Sequence, residues 1–127
     1  MQTPAIPLLF ALDEQLARIE AEGVETRWAR HAEMGSIVAR WCDAEPDCAL
    51  LAPPGRRSWT VSAIRTGGST RPILEHLARD GWTVAPGLPP LQDSVLRIGH
   101  MGEVQPADLE RLLEAISAAR STSRGGV

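Results

Sequence analysis

The stretch Val95–Ile116, VLRIGHMGEVQPADLERLLEAI, limits what this chain can fold into more than any other segment. It joins three signals. Val95–Ile98 is a short apolar strand interrupted by one charge, Arg97. Gly99-His100-Met101-Gly102 is a turn between two glycines. Pro106 then opens a helix whose Leu109, Leu112, Leu113 and Ile116 recur at the i, i+3, i+4, i+7 spacing of one buried face. Strand side chains alternate, so Val95 and Arg97 share one face of the sheet and Leu96 and Ile98 take the other. The arginine is thereby held on a rigid element beside a glycine turn, where a small ligand can approach the backbone.

Composition excludes several classes. At 127 residues the chain makes one compact domain, with the apolar and charged fractions (43% and 23%) of an ordinary soluble protein. The net charge of −3 offers no footprint for nucleic acid or an anionic membrane. No apolar run approaches the ~18 residues of a membrane helix. Pro4 and Pro7 interrupt the first apolar run, which argues against a signal peptide. Cys42 and Cys48 lack a second pair or a histidine pattern to complete a metal site, so they read as free thiols of a cytoplasmic protein. All thirteen basic residues are arginine, so no side chain can form a lysine Schiff base.

The patterning predicts the order helix, helix, strand, strand, helix, strand, strand, helix. An amphipathic helix starts at Leu8, with Leu8, Leu9, Leu12, Leu16 and Ile19 on one side, and stops at Gly23. A second runs from about Val24 to Cys42. Cys48–Ala52, Ser58–Thr66 and Trp82–Ala85 read as strands. Between them, Ser69 or Thr70 caps a helix with Pro72 in its first turn and Ile73, Leu74 and Leu77 inward. The four tryptophans, Trp28, Trp41, Trp59 and Trp82, are expected in the core. Residues 1–120 are taken as the domain, 1–23 being a linker and leading helix, and 121–127 as a disordered tail. The expected class is α+β: a small, mostly antiparallel sheet with helices on one side.

Among residues that carry chemistry, Arg97 leads, because a guanidinium fork matches a carboxylate with two parallel hydrogen bonds. The plainer alternative is an edge-strand arginine paired with Glu103. His100 is a titrating candidate in the turn, although ordinary packing explains it as well. His31 and His76 have no partner at metal-ligand spacing and read as structural, and no metal site is expected. Thr3, before Pro4, is a weak candidate for a phosphate contact. No phosphate loop or nucleophile elbow is present in the sequence.

Arg97-Ile98-Gly99-His100-Met101-Gly102 and its following helix resemble the C-terminal end of class V pyridoxal-phosphate aminotransferases, the alanine–glyoxylate, serine–glyoxylate and serine–pyruvate group, which carries an RIG-x-x-G segment before its last helix. TPAIPLLFALDEQLARIEAEG (Thr3–Gly23) is similar to the family's segment after the cofactor lysine. WARHAEM (Trp28–Met34), TVSAIRT (Thr60–Thr66) and the Gly87 loop follow in order, so that the likeness covers the chain to about Arg120. The resemblance implies the small C-terminal domain of a fold-type-I enzyme that moves an amino group between serine or alanine and an α-keto acid such as glyoxylate or pyruvate. It implies that Arg97 binds the substrate α-carboxylate. It implies that Thr3 contacts the phosphate of pyridoxal 5'-phosphate across a homodimer. It also implies what is missing: the large domain with its Schiff-base lysine, its ring-nitrogen aspartate and its stacking aromatic. Pro89 stands where many relatives have glycine. On this reading the chain is a fragment or a truncated product, inactive alone. The alternative is a non-catalytic remnant that serves as a dimerisation or interaction module.

Overall fold

The computed structural model describes residues 4–124. In chain order the elements are α1 (Ile6–Glu22), α2 (Val24–Ala44), β1 (Ala49–Leu50), β2 (Val61–Arg65), α3 (Arg71–Arg79), β3 (Ala85–Pro86), β4 (Val95–Gly99) and α4 (Pro106–Arg124). Order and type agree with the patterning, and the class is α+β. The chain divides into two compact units, Met1–Arg30 and His31–Val127.

In the first unit, a proline in the first turn starts α1, where a missing N–H costs nothing. Gly23 stops it at φ 84°, a left-handed backbone that side chains with a Cβ resist, and its N–H donates to the Ile19 carbonyl at 2.9 Å. Glu22 fastens the corner. Its carboxylate accepts from Arg27 Nη1 at 2.6 Å and from Arg30 Nε and Nη2 at 2.7 and 2.9 Å. The Arg30 hydrogen bonds, with the Arg27 guanidinium beside them, hold the Glu22 carboxyl down at about 2 against the opposing cost of desolvation. None of the residues of α1 is buried.

The second unit is built on a four-stranded sheet of order β1-β2-β4-β3, antiparallel at every pairing. One face carries Ile64, Leu96 and Ile98 into the core. There they meet Met34, Val38 and Cys42 of α2, Ile73 and Leu77 of α3, and Leu109, Leu113 and Ile116 of α4. The alternation expected for Val95–Ile98 is therefore realised: Leu96 and Ile98 join the helices, while Val95 and Arg97 lie on the opposite face. Cys42 and Cys48 are free thiols. Burial pushes Cys42 up to about 12, so it behaves as a small core hydrophobe.

Several expectations need correction. The strands are shorter than their apolar runs: two residues for Cys48–Ala52, two for Trp82–Ala85 (shifted to Ala85–Pro86), and Val61–Arg65 within Ser58–Thr66. Trp28 and Trp59 are 60% exposed and only Trp41 and Trp82 pack against the core. β4 is an interior strand, not an edge. Thr70 stands at the N-cap of α3, but its hydroxyl donates to the Gln92 carbonyl at 2.8 Å instead of capping. Helix α4 runs on to Arg124, into the stretch expected as a tail. Ser121, Thr122 and Ser123 each donate to the carbonyl four residues back, so their hydroxyls are satisfied within the helix. Residues 125–127 lie outside the described residues.

Candidate functional site

Arg97 sits in the middle of β4, opposite Ala63 on β2 and Ala85 on β3. Two alanines as cross-strand neighbours leave its long side chain unobstructed on the face away from the core. Its Nε donates to the Pro86 carbonyl at 2.8 Å, a contact that fixes the guanidinium beside the end of β3. No hydrogen bond is recorded for its two terminal amino groups among the described residues. Glu103 is not its partner, so the plainer alternative from the sequence is not what the fold adopts.

The guanidinium borders a concavity of about 230 Å³ walled by Leu51, Gly87, Leu88, Pro89, Leu91 and Val95. The loop that forms this wall is tied across its base. Gly87 N–H donates to the Val95 carbonyl at 2.7 Å and Val95 N–H to the Leu91 carbonyl at 3.0 Å. Gly87 allows the closure, since a Cβ there would fall 2.6 Å from the Leu91 carbonyl oxygen and 2.9 Å from Val95 Cβ. The Pro89–Pro90 peptide in this loop is cis. The result is a single cation with its forked end free, against apolar walls. A carboxylate on a short carbon chain satisfies both parts: two charge-assisted hydrogen bonds for the oxygens and apolar contact for the carbons.

The other expected residues fall elsewhere. His100 is completely buried. Its N–H donates to the Thr60 carbonyl at 2.8 Å and its Nε2 lies 2.9 Å from Ser62 Oγ. Burial lowers its pKa below the usual 6.5, and nearby His31 acts in the same direction. The ring is thus held neutral, as a packed member of the turn. His100 Nδ1 and His31 Nε2 are both buried without a hydrogen bond among the described residues. His76 lies on α3 with Nε2 3.4 Å from Asp80 Oδ2. Thr3 lies outside the described residues. Among those residues no group of three histidine, cysteine, aspartate or glutamate side chains is placed to hold a metal, and no helix is long and apolar enough to cross a membrane.

Two features escaped sequence reasoning. The Pro86 carbonyl, which orients Arg97, is a backbone group, and residue pattern carries no trace of it. Arg120 reads as one more charge on a helix, yet it is 4% exposed and bonds the Thr66 and Pro46 carbonyls through Nη1 and Nη2 at 2.6 and 2.5 Å. Its place at the i+4 position after Ile116, within the apolar stripe of α4, is the signal that marks it.

An antiparallel α+β domain of this order is the fold of aminotransferase C-terminal domains. The ureidoglycine–glyoxylate aminotransferase of Bacillus subtilis superposes with a TM-score of 0.86 at 25% identity over 99% of this chain and 33% of its own. The pyridoxamine–pyruvate aminotransferase of Mesorhizobium loti gives 0.83 at 28% identity over 95% of this chain and 32% of its own. In sequence, the chain is 36% identical over 120 residues to the serine–glyoxylate aminotransferase of Methylorubrum extorquens, covering 92% of this chain and 29% of that protein. It is 34% identical to the alanine–glyoxylate aminotransferase of Callithrix jacchus, covering 79% of this chain and 25% of that protein. No family model matches the chain. In sequence and in fold the chain is thus a homologue of the C-terminal domain of these aminotransferases. It spans less than a third of the length of these relatives.

Pyridoxal phosphate is the cofactor that the family implies. The pocket beside Arg97 holds no amine, acid or hydroxyl besides the guanidinium, and the sequence holds no lysine. The residues of this pocket therefore do not fit the cofactor. They fit a carboxylate.

Proposed function

We propose that this chain is the C-terminal domain of a transaminase that moves an amino group between a small amino acid, serine or alanine, and an α-keto acid such as glyoxylate or pyruvate. The observation that carries the reading is Arg97, fixed by the Pro86 carbonyl and lining a small apolar pocket. Arg97 binds the substrate α-carboxylate there and so fixes the orientation of the carbon that reacts. The reacting groups belong to the remainder of the complete enzyme, which holds pyridoxal 5'-phosphate and acts as a cytoplasmic homodimer. Thr3 is assigned the cofactor-phosphate contact across that dimer on resemblance alone.

Arg97→Lys in a complete enzyme carrying this domain tests the reading. A point charge in place of the fork is expected to raise KM for the amino acid about tenfold to a hundredfold. Unchanged amino-acid affinity would sink the assignment. The isolated chain is expected to show no transaminase activity. Added pyridoxal phosphate should give no side-chain Schiff-base absorbance, because the polypeptide has no lysine.

One observation favours a second reading, a non-catalytic interaction module. Helix α1 buries none of its residues, although it carries a continuous leucine stripe.

A further inference from the structure

We propose that Gly87 is a positioning residue for the Arg97 site: its lack of a side chain lets the loop close on β4, and that closure holds the Pro86 carbonyl where it orients the guanidinium. This rests on Arg97 as the carboxylate anchor and adds what sets its pose.

Gly87 is buried, and its N–H donates to the Val95 carbonyl at 2.7 Å. It lies against Val95, two residues before Arg97 and on the same face of β4. One residue back, the Pro86 carbonyl accepts from Arg97 Nε at 2.8 Å. The place of that carbonyl is therefore set by how closely residue 87 approaches β4.

A Cβ at residue 87 would fall 2.6 Å from the Leu91 carbonyl oxygen, 2.9 Å from the carbon of that carbonyl and 2.9 Å from Val95 Cβ. Something has to move, and the neighbours differ in how firmly they are held. Val95 is 1% exposed and belongs to β4, which pairs with β2 over five residues. The Leu91 carbonyl accepts from Ser94 N–H at 3.2 Å and from Val95 N–H at 3.0 Å. β3 is held least. It is an edge strand of two residues, and Pro86 has no N–H to add to the ladder. A side chain at 87 thus lifts the end of β3 from β4 and draws the Pro86 carbonyl away from Arg97 Nε. The core face of β4, with Leu96 and Ile98, stays packed. The guanidinium keeps its charge but loses its fixed orientation, and ordering it again falls to the ligand.

The test titrates the 127-residue chain with propionate, a carboxylate on a short apolar chain, and follows it by NMR. Wild type, Gly87→Ala, Arg97→Lys and the double variant are compared. The wild type is expected to bind with Kd on the order of 10 mM. Its Arg97 Nε–H should exchange about tenfold more slowly than in Gly87→Ala. Gly87→Ala should weaken propionate binding about threefold to tenfold, with the amide signals of Ile64 and Ile98 unmoved. In the Arg97→Lys background the same substitution should change affinity by less than about 1.5-fold, because lysine has no Nε–H for the Pro86 carbonyl to hold.

Equal weakening by Gly87→Ala in both backgrounds overturns the inference and leaves the carboxylate reading standing, as does weakening by Arg97→Lys alone. A Gly87→Ala chain whose Ile64 and Ile98 signals collapse overturns it too, since the glycine then serves the fold. Absent binding, or binding that neither substitution weakens, overturns the inference together with the Arg97 reading.

Discussion

Helices α1 and α4 carry the same kind of sequence pattern and meet opposite fates. In α4 the stripe Leu109, Leu112, Leu113 and Ile116 is 1, 9, 3 and 0% exposed. In α1 the stripe Leu8, Leu9, Leu12 and Leu16 is more than half exposed throughout. The difference lies outside the helices. Three residues after the β4–α4 turn, α4 is committed to the sheet face that carries Leu96 and Ile98, whereas nothing in its own unit covers α1. Amphipathicity thus tells which side of a helix wants cover, and only the surroundings tell whether cover is supplied.

The largest expected effect follows from the covered stripe. Ile116→Ala removes a fully buried side chain from the junction of α4 with the sheet and should cost about 3–4 kcal/mol in chemical denaturation. Leu12→Ala in α1 should stay within about 0.5 kcal/mol. Equal losses at the two positions would mean that α1 is covered after all and would break the comparison.

The two helices also differ in what their arginines do. Arg18 in α1 pairs with Glu14 one turn away at 2.9 Å, and both side chains are more than half exposed. Such a pair contributes at most about 0.5 kcal/mol. Arg120 in α4 is buried, bonds two carbonyls from separate loops, and lies 3.7 Å from Glu45 Oε2. Glu45 in turn accepts a short hydrogen bond from Ser117 on α4. Arg120→Ala should cost about 2–3 kcal/mol, since it takes a buried donor from the Thr66 carbonyl and leaves Glu45 without its cation. Thermal melts of Arg18→Ala and Arg120→Ala side by side separate the two roles. A melting temperature unmoved by Arg120→Ala would show that the Thr66 carbonyl finds water instead.

What the sequence disclosed follows the same division. Element order was legible because apolar periodicity and glycine or proline punctuation agree at nearly every boundary, from Gly23 to Pro106. Arg97 was legible as an exception, one charge in an apolar strand. Strand ends were not, since they depend on how long a partner strand continues: Ser58–Thr66 narrows to Val61–Arg65 where pairing with β4 ends at Gly99. The exposure of Trp28 and Trp59 was not legible either, because an aromatic side chain reads as core until its neighbours are known. The orientation of Arg97 rests on a carbonyl, and backbone acceptors have no signature in residue type. The end of α4 was misjudged because serine and threonine favour caps and turns, whereas here their hydroxyls bond back into the helix.

Acid sharpens the contrast between the two units with the smallest expected effect. Glu22, in the first unit, has its pKa lowered from 4.5 to about 2 by its arginine partners. Its contribution is fully present above the unfolded value and is lost as pH falls from about 4.5 towards 2. His100, in the second unit, has its pKa lowered below 6.5 by burial. The unfolded chain binds that proton first, so stability is unaffected above 6.5 and falls as pH drops below it. The sheet unit should therefore begin to weaken at a pH where the Glu22 corner is still intact. Denaturation midpoints at pH 7.5 and 5.5 should differ in the wild type, and the difference should shrink in His100→Gln, which keeps a polar side chain without a titrating ring. Amide exchange over the same range should quicken first at the ends of β2 and β4 beside His100, which bonds Thr60 and Ser62, before any change in residues 19–30. If exchange quickens in the α1–α2 corner first, the neutral His100 is not what limits the sheet unit in mild acid.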